Sequence, residues 1–149
     1  MKKILFSVFA FCMMLIFLTG CSTYKSYTFN VSTGDKVKIK MVTSSGYDLT
    51  SNTPIKFSKD GETISQGTFA QGPAYIIYRN SAKSQGAKIL KEDSNKTIDY
   101  FFYEYNNNGK TEYNYIIKIK DSNTCFILAS QKSQEEAEEI FSKLEFSLE

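Results

Sequence analysis

Histidine and tryptophan are absent from this chain of 149 residues, arginine occurs once, at Arg79, and proline twice, at Pro54 and Pro73. Without histidine the chain lacks the commonest general base and the commonest metal-ligating side chain, so any acid-base chemistry falls to aspartate and glutamate. Cysteine is nearly as scarce, with only Cys12, Cys21 and Cys125. No G-x-x-x-x-G-K sequence surrounds Gly67, Gly72 or Gly86. A phosphate loop is thereby excluded, and these glycines read as bends. Long apolar runs are missing after Leu18, and no Pro-, Gly- or Ser-rich linker and no internal repeat interrupts the rest.

The first twenty residues are a different kind of sequence. Lys2 and Lys3 precede an uncharged apolar run from Ile4 to Leu18, the charged-then-apolar layout of a secretory signal. A helix rising about 1.5 Å per residue needs roughly 20 apolar residues to cross the hydrocarbon core, and this run stops short of that. The boundary Leu18-Thr19-Gly20-Cys21 resembles the lipobox of bacterial lipoproteins. The resemblance implies cleavage between Gly20 and Cys21 and a diacylglycerol on the Cys21 thiol. Acyl anchoring of that kind is durable, since each buried CH₂ contributes about 0.8 kcal/mol. The competing reading is an uncut signal anchor, with Cys21 an ordinary cysteine.

Processing there would remove 20 residues and leave 129, enough for a single domain. Cys12 would leave with the signal and Cys21 would carry lipid, so Cys125 would have no disulfide partner. Lys2 and Lys3 account for the formal charge of +2, and from Cys21 onward 16 basic side chains meet 16 acidic ones. A balanced domain lacks the basic footprint of a nucleic-acid binder. Lysine outnumbers arginine 17 to 1, and all ten tyrosines follow Cys21. This usage resembles the coding bias of an AT-rich genome such as that of a low-GC Gram-positive bacterium.

Residues 21–26 read as a lipidated tether and 27–149 as one α+β domain. A first strand is expected over Tyr27 to Val31. In Val37 to Val42, apolar Val37, Ile39 and Met41 alternate with Lys36, Lys38 and Lys40, the pattern of a half-buried strand. Ser44 to Pro54 reads as a polar loop around Tyr47. Asp60-Gly61 between Ile55 to Phe57 and Ile64 to Phe69 marks a tight hairpin. A helix is expected within Gln71 to Lys83 and a short strand at Lys88 to Leu90. Three longer strands, Thr97 to Tyr105, Glu112 to Lys120 and Thr124 to Gln131, are joined by Asn106-Asn107-Asn108-Gly109 and Asp121-Ser122-Asn123, strong hairpin signals. The first and third of these are apolar on both faces and so require cover on both. Ser133 and Glu136 form a capping box ahead of the apolar stripe Ala137, Ile140, Phe141 and Leu144. A short strand over Glu145 to Leu148 closes the chain.

An antiparallel meander followed by the Ser-capped segment EEAEEIFSKLEF, with GETISQGTF upstream, resembles small extracytoplasmic lipoproteins with a PsbP-like domain. The resemblance implies an α/β/α sandwich, an antiparallel sheet covered by helices on both sides. It also implies binding or assembly rather than catalysis. It rests on element order and transfers no functional residue, and fold alone does not give function.

Candidate chemistry is sparse. Cys125 lacks a histidine to activate it and sits in an interior strand, where core packing is the favoured reading. Ser22 and Lys25 match S-x-x-K but lie in the tether. Glu135, Glu136, Glu138 and Glu139 lack the alternating loop spacing of a hard-cation site and read as a solvated, capped helix end. No cofactor motif and no metal set is present. Lys36, Lys38 and Lys40 share one strand face and would suit anionic headgroups or wall polymer. Their plainer reading is a lysine-protected edge strand. Tyr47, Tyr75, Tyr78, Tyr103, Tyr105, Tyr113 and Tyr115 would suit a groove for peptide or glycan, against the plainer reading that they fill the core. Acid-base hydrolysis would need two of Asp93, Asp99, Glu104 and Glu112 together in one pocket.

The expectation is therefore a non-enzymatic binding or assembly module on the extracytoplasmic face of the cell membrane. It would work through a sheet surface or a helix-sheet cleft. Its partners would be the membrane, through the lipid, and another envelope protein or wall polymer, not nucleic acid. The alternatives are a small-molecule carrier and, behind it, a carboxylate-dependent hydrolase.

Overall fold

The computed structural model describes residues 23–149, so the signal sequence and its boundary at Gly20 and Cys21 lie outside the described residues. Among the described residues, alternation and turn chemistry produce an α+β fold of ten strands and two helices. They run in the order β1 (Tyr24–Asn30), β2 (Lys36–Val42), β3 (Tyr47–Leu49), β4 (Ile55–Lys59), β5 (Glu62–Gln71), α1 (Ala74–Ser84), β6 (Lys88–Ser94), β7 (Ile98–Asn107), β8 (Lys110–Ile119), β9 (Thr124–Ser130), α2 (Gln134–Ser142) and β10 (Leu144–Leu148). A 3₁₀ turn, Ser44–Gly46, separates β2 from β3.

Two antiparallel sheets result. The larger has the order β3-β4-β5-β9-β8-β7-β6 and the smaller β1-β2-β10. The β4–β5 turn places Asp60 and Gly61 at φ +51° and +84°, and the β7–β8 turn places Asn108 and Gly109 at +52° and +84°. Both are two-residue turns with positive φ at each position, whose twist matches that of the flanking strands.

Alternation along the central strands sorts residues between two cores. Ile98, Tyr100 and Phe102 of β7, Tyr115, Ile117 and Ile119 of β8, and Phe126 and Leu128 of β9 share a cluster with Val37, Ile39 and Met41 of β2, Phe146 of β10, and Ala137 and Ile140 of α2. Within it, Tyr115 stacks between Phe102 and Phe141 at centroid distances of 4.0 and 4.1 Å. The other face carries Phe101, Ile116 and Cys125, packed with Ala82 and the partly buried Ala74 and Tyr75 of α1. The helix α2 opens as its sequence predicts: Ser133 accepts from the Glu136 N–H, and the Glu136 carboxylate accepts from the Ser133 N–H and Oγ.

Several readings change. The first strand opens at Tyr24, inside the segment read as tether, because Tyr24, Lys25 and Ser26 pair with Val42, Met41 and Lys40. The loop around Tyr47 contains β3, and Tyr47 is buried in the core. Gly67 is no bend: it lies mid-strand in β5, where an added Cβ would fall 2.1 Å from Phe126 Cζ. Strand β2 is central in its sheet, not an edge. Two independent ties hold the sheets in register at opposite ends. The Asp35 carboxylate in the β1–β2 turn accepts from Thr124 Oγ1 at 2.7 Å and the Asn123 N–H at 3.0 Å in the β8–β9 turn. At the other end Lys25 of β1 pairs with Asp48 of β3 at 2.8 Å, while the Asp60 N–H bond to Gly46 O at 2.8 Å extends the β3–β4 ladder within the large sheet.

Candidate functional site

The face of the large sheet under α1 is a grid of cross-strand rows. One row runs Thr68, Ile127, Ile116, Phe101 and Glu92, and its neighbour runs Gln66, Ala129, Asn114, Tyr103 and Ile89. Rows on one face follow from the two-residue period of the strand. Helix α1 seals the apolar middle: Tyr75 meets Phe101 edge-on at 5.3 Å, and Ala82 is buried against the same cluster. Beyond the helix the grid turns polar. Gln66, Thr68 and Gln131 are exposed, Glu112 and Tyr105 are half-buried, and Gln131 Nε2 donates to Glu112 Oε1 at 3.0 Å.

These residues form a helix-sheet trough. Its open end is a recess of about 360 Å³ lined by Thr63, Gln66, Glu112, Ala129, Gln131 and Lys132. Lys132 at its rim is ion-paired with Glu62. Asn114 sits in the floor with 7% of its surface exposed, between Tyr103 and Ala129 on the neighbouring strands. The fully buried side-chain polar atoms left without a partner among the described residues are Tyr47 Oη and Ser65 Oγ; the Asn114 amide is not one of them. Burial pushes the Tyr103 hydroxyl up to about 12, so it remains a protonated donor at neutral pH. On α1, Ile76, Ile77 and Tyr78 are left exposed at 55%, 61% and 39%.

The tyrosines do not line one surface. Tyr103 and Tyr105 lie on the α1 face, whereas Tyr113 and Tyr115 alternate onto the opposite face, Tyr115 buried and Tyr113 packed against the same core. Tyr75 is half-buried under α1 and Tyr47 is core, so the trough keeps Tyr78, Tyr103 and Tyr105 of the seven.

Lys36, Lys38 and Lys40 do share the outer face of the small sheet, but Lys38 pairs with Glu149 at 2.8 Å and Lys40 with Glu145 at 3.2 Å. Exposed pairs of this kind contribute about 0–1 kcal/mol, and here they leave little net field. Cys125 is fully buried and its thiol is pushed up to about 12 by desolvation, which makes it a packing residue at neutral pH.

The four acids of the hydrolase reading are spread out. Asp93 and Glu104 belong to one sheet face and Asp99 and Glu112 to the other. Asp99 pairs with Lys120 and accepts from Ser94. It stands opposite Lys118, six residues along β8 from Glu112, or about 20 Å of strand. On α2, Glu136 serves the cap and Glu139 pairs with Lys59. Lys25 of the S-x-x-K match pairs with Asp48, and Ser22 lies outside the described residues.

No protein-family model matches the chain, and no curated protein matches it either. The trough residues Gln66, Asn114 and Gln131 carry no motif; their only sequence signal is a polar residue at a position whose strand neighbours two residues away include apolar ones, as Asn114 has in Ile116.

Proposed function

We propose that this protein is a membrane-tethered binding module on the extracytoplasmic face, held by lipid on Cys21, and that the helix-sheet trough is its binding surface. The observation that carries the reading is the recess at the open end of the trough, where Gln66, Glu112 and Gln131 stand on the wall and the cross-strand row runs on through Asn114 to Tyr103. Around it stand amides, one carboxylate and tyrosine rings. This mixture suits an uncharged polar ligand with flat apolar faces, such as a wall glycan or an extended peptide, because tyrosine offers a large apolar face and a hydroxyl together. The equal numbers of basic and acidic side chains after Cys21 support neither nucleic acid nor a strongly charged ligand.

The PsbP-like likeness belongs with this reading. Element order and the Ser-capped terminal helix support it, and binding or assembly is what it implies.

The test is a photo-crosslinking amino acid placed at Tyr105 in the trough or at Thr28 on the small sheet, in the full chain in its native membrane. The expected result is a discrete adduct from Tyr105 alone, abolished by Asn114→Leu and lost when Cys21→Ala releases the protein. Equal labelling from both positions, or none from either, would reject the trough as the binding surface.

A further inference from the structure

The first residues of the domain restrict how it stands on its membrane. Strands β1, β2 and β10 meet at one end of the small sheet, where the Thr43 N–H donates to Thr23 O at 2.8 Å and the Val42 N–H to Lys143 O at 3.0 Å. The β1–β2 turn is at the other end, seven strand residues away, or about 20 Å. Only Ser22 separates Cys21 from Thr23. Two peptide units span at most ~7 Å, so a lipid on Cys21 holds Thr23 at the headgroups. At this end Tyr24 is 53% exposed, and the Lys40 ammonium lies 4.1 Å from its ring centroid. A half-wet aromatic carrying a cation suits the boundary between water and lipid.

We propose that this end of the small sheet, with Tyr24, Lys40, Thr43, Ser44 and Lys143, is seated on the headgroup surface of the anchoring membrane. The β1–β2 and β8–β9 turns then face outward. The seat rests on the lipid attachment at Cys21 proposed above.

Two other placements fit less well. Lying on the outer face of the small sheet would press Ser26, Thr28 and the paired Lys38–Glu149 and Lys40–Glu145 against lipid, with almost no net charge to draw them there. Lying on the trough is beyond reach. The trough opens on the face of the large sheet turned away from the small one, at least a sheet spacing of ~10 Å from Thr23, against a tether of ~7 Å. The trough is thereby held off the anchoring membrane and open to a partner arriving from the side or from outside.

The test labels single cysteines with an environment-sensitive fluorophore in the full lipoprotein, reconstituted in phosphatidylglycerol–phosphatidylethanolamine vesicles that carry a nitroxide on the headgroup. The sites are Ser44→Cys at the seated end, Ser32→Cys in the β1–β2 turn and Gln66→Cys in the trough; buried Cys125 stays unlabelled. With ~20 Å of strand between the two ends, quenching at Ser44 is expected to exceed that at Ser32 by roughly fivefold or more, with Gln66 also low. Equal quenching at Ser44 and Ser32, or stronger quenching at Gln66, in protein whose Cys21 peptide carries the diacylglycerol mass would overturn the seat and leave the tether intact. Absence of that mass would overturn both.

Discussion

Replacing Gly67 by alanine adds one methyl group to the most confined point of the core. Its Cβ would fall 2.1 Å from Phe126 Cζ, 2.7 Å from Phe126 Cε1 and 3.0 Å from Phe57 Cε2, where ordinary contact begins at 3.4 Å. The Phe126 ring must retreat by more than an ångström, but it is fully buried, with Phe69 at 5.0 Å, Phe146 at 5.4 Å and Phe57 at 6.3 Å from its centroid. Overpacking a filled core costs about 1–3 kcal/mol, and the displaced phenylalanine forfeits part of the roughly 3–5 kcal/mol that its deletion would cost. Alanine restricts the unfolded chain and returns about 0.4–1 kcal/mol. The net is a loss of about 2–3 kcal/mol. With a urea slope of roughly 1–3 kcal/mol/M, the unfolding midpoint should fall by about 0.7–3 M at unchanged slope. Far-UV circular dichroism and tyrosine fluorescence report the transition, there being no tryptophan. The decisive arm is Gly67→Ala with Phe126→Leu. Leucine vacates the space the methyl needs, so the double variant should be more stable than Gly67→Ala alone, a coupling of about 0.5–3 kcal/mol. If the two costs simply add, or if Gly67→Ala moves the midpoint by less than about 0.3 M, the steric reasoning is wrong.

Three further outcomes are expected. Ser133→Ala should cost about 1 kcal/mol by leaving the first turn of α2 uncapped, while Ser133→Asp, which can still accept the Glu136 N–H, should recover most of it in the same urea assay. The Asp35 carboxyl is held below its ordinary 3.8 by the Thr124 hydroxyl first, then by the Asn123 N–H and Thr33, so its contribution is complete above 3.8 and fades as pH falls through the lower folded value. Melting curves taken downward from about pH 4 should therefore be flatter for Asp35→Asn than for the parent, and parallel curves would count against the tie between the turns. Cys125 should resist a thiol reagent at neutral pH until the domain unfolds, so that its labelling rate follows denaturant as global unfolding does; fast labelling in native buffer would contradict its burial.

Local chemistry made much of the fold readable. Asp60-Gly61 and Asn108-Gly109 need positive φ and supply it, Ser133 and Glu136 cap a helix by reciprocal bonds three residues apart, and alternation in Val37 to Met41 marks a buried face. Each of these signals is complete within a few residues of chain. Tyr24 to Ser26 gave no such signal, because what makes them a strand is pairing with Val42 to Lys40, some fifteen residues on. Lys36, Lys38 and Lys40 showed their shared face but not that β10 would return from the far end of the chain to flank them and bring Glu145 and Glu149 to their ammoniums.

The candidate site was less legible still. Its seven tyrosines were visible as residues, but two-residue alternation divided Tyr103 and Tyr105 from Tyr113 and Tyr115, and only the register of β5, β9, β8 and β7 brought Gln66, Ala129, Asn114 and Tyr103 into one row. Gly67 read as a bend because nothing nearby in sequence announces the Phe126 ring above it. By itself, then, the sequence determined most of the strands, the tight turns, the capped helix and the balance of charge, since these depend on neighbours a few residues apart. The tertiary structure alone decided which strand lies beside which, which side chains share a face, and where the trough opens, since those depend on pairings between segments tens of residues apart.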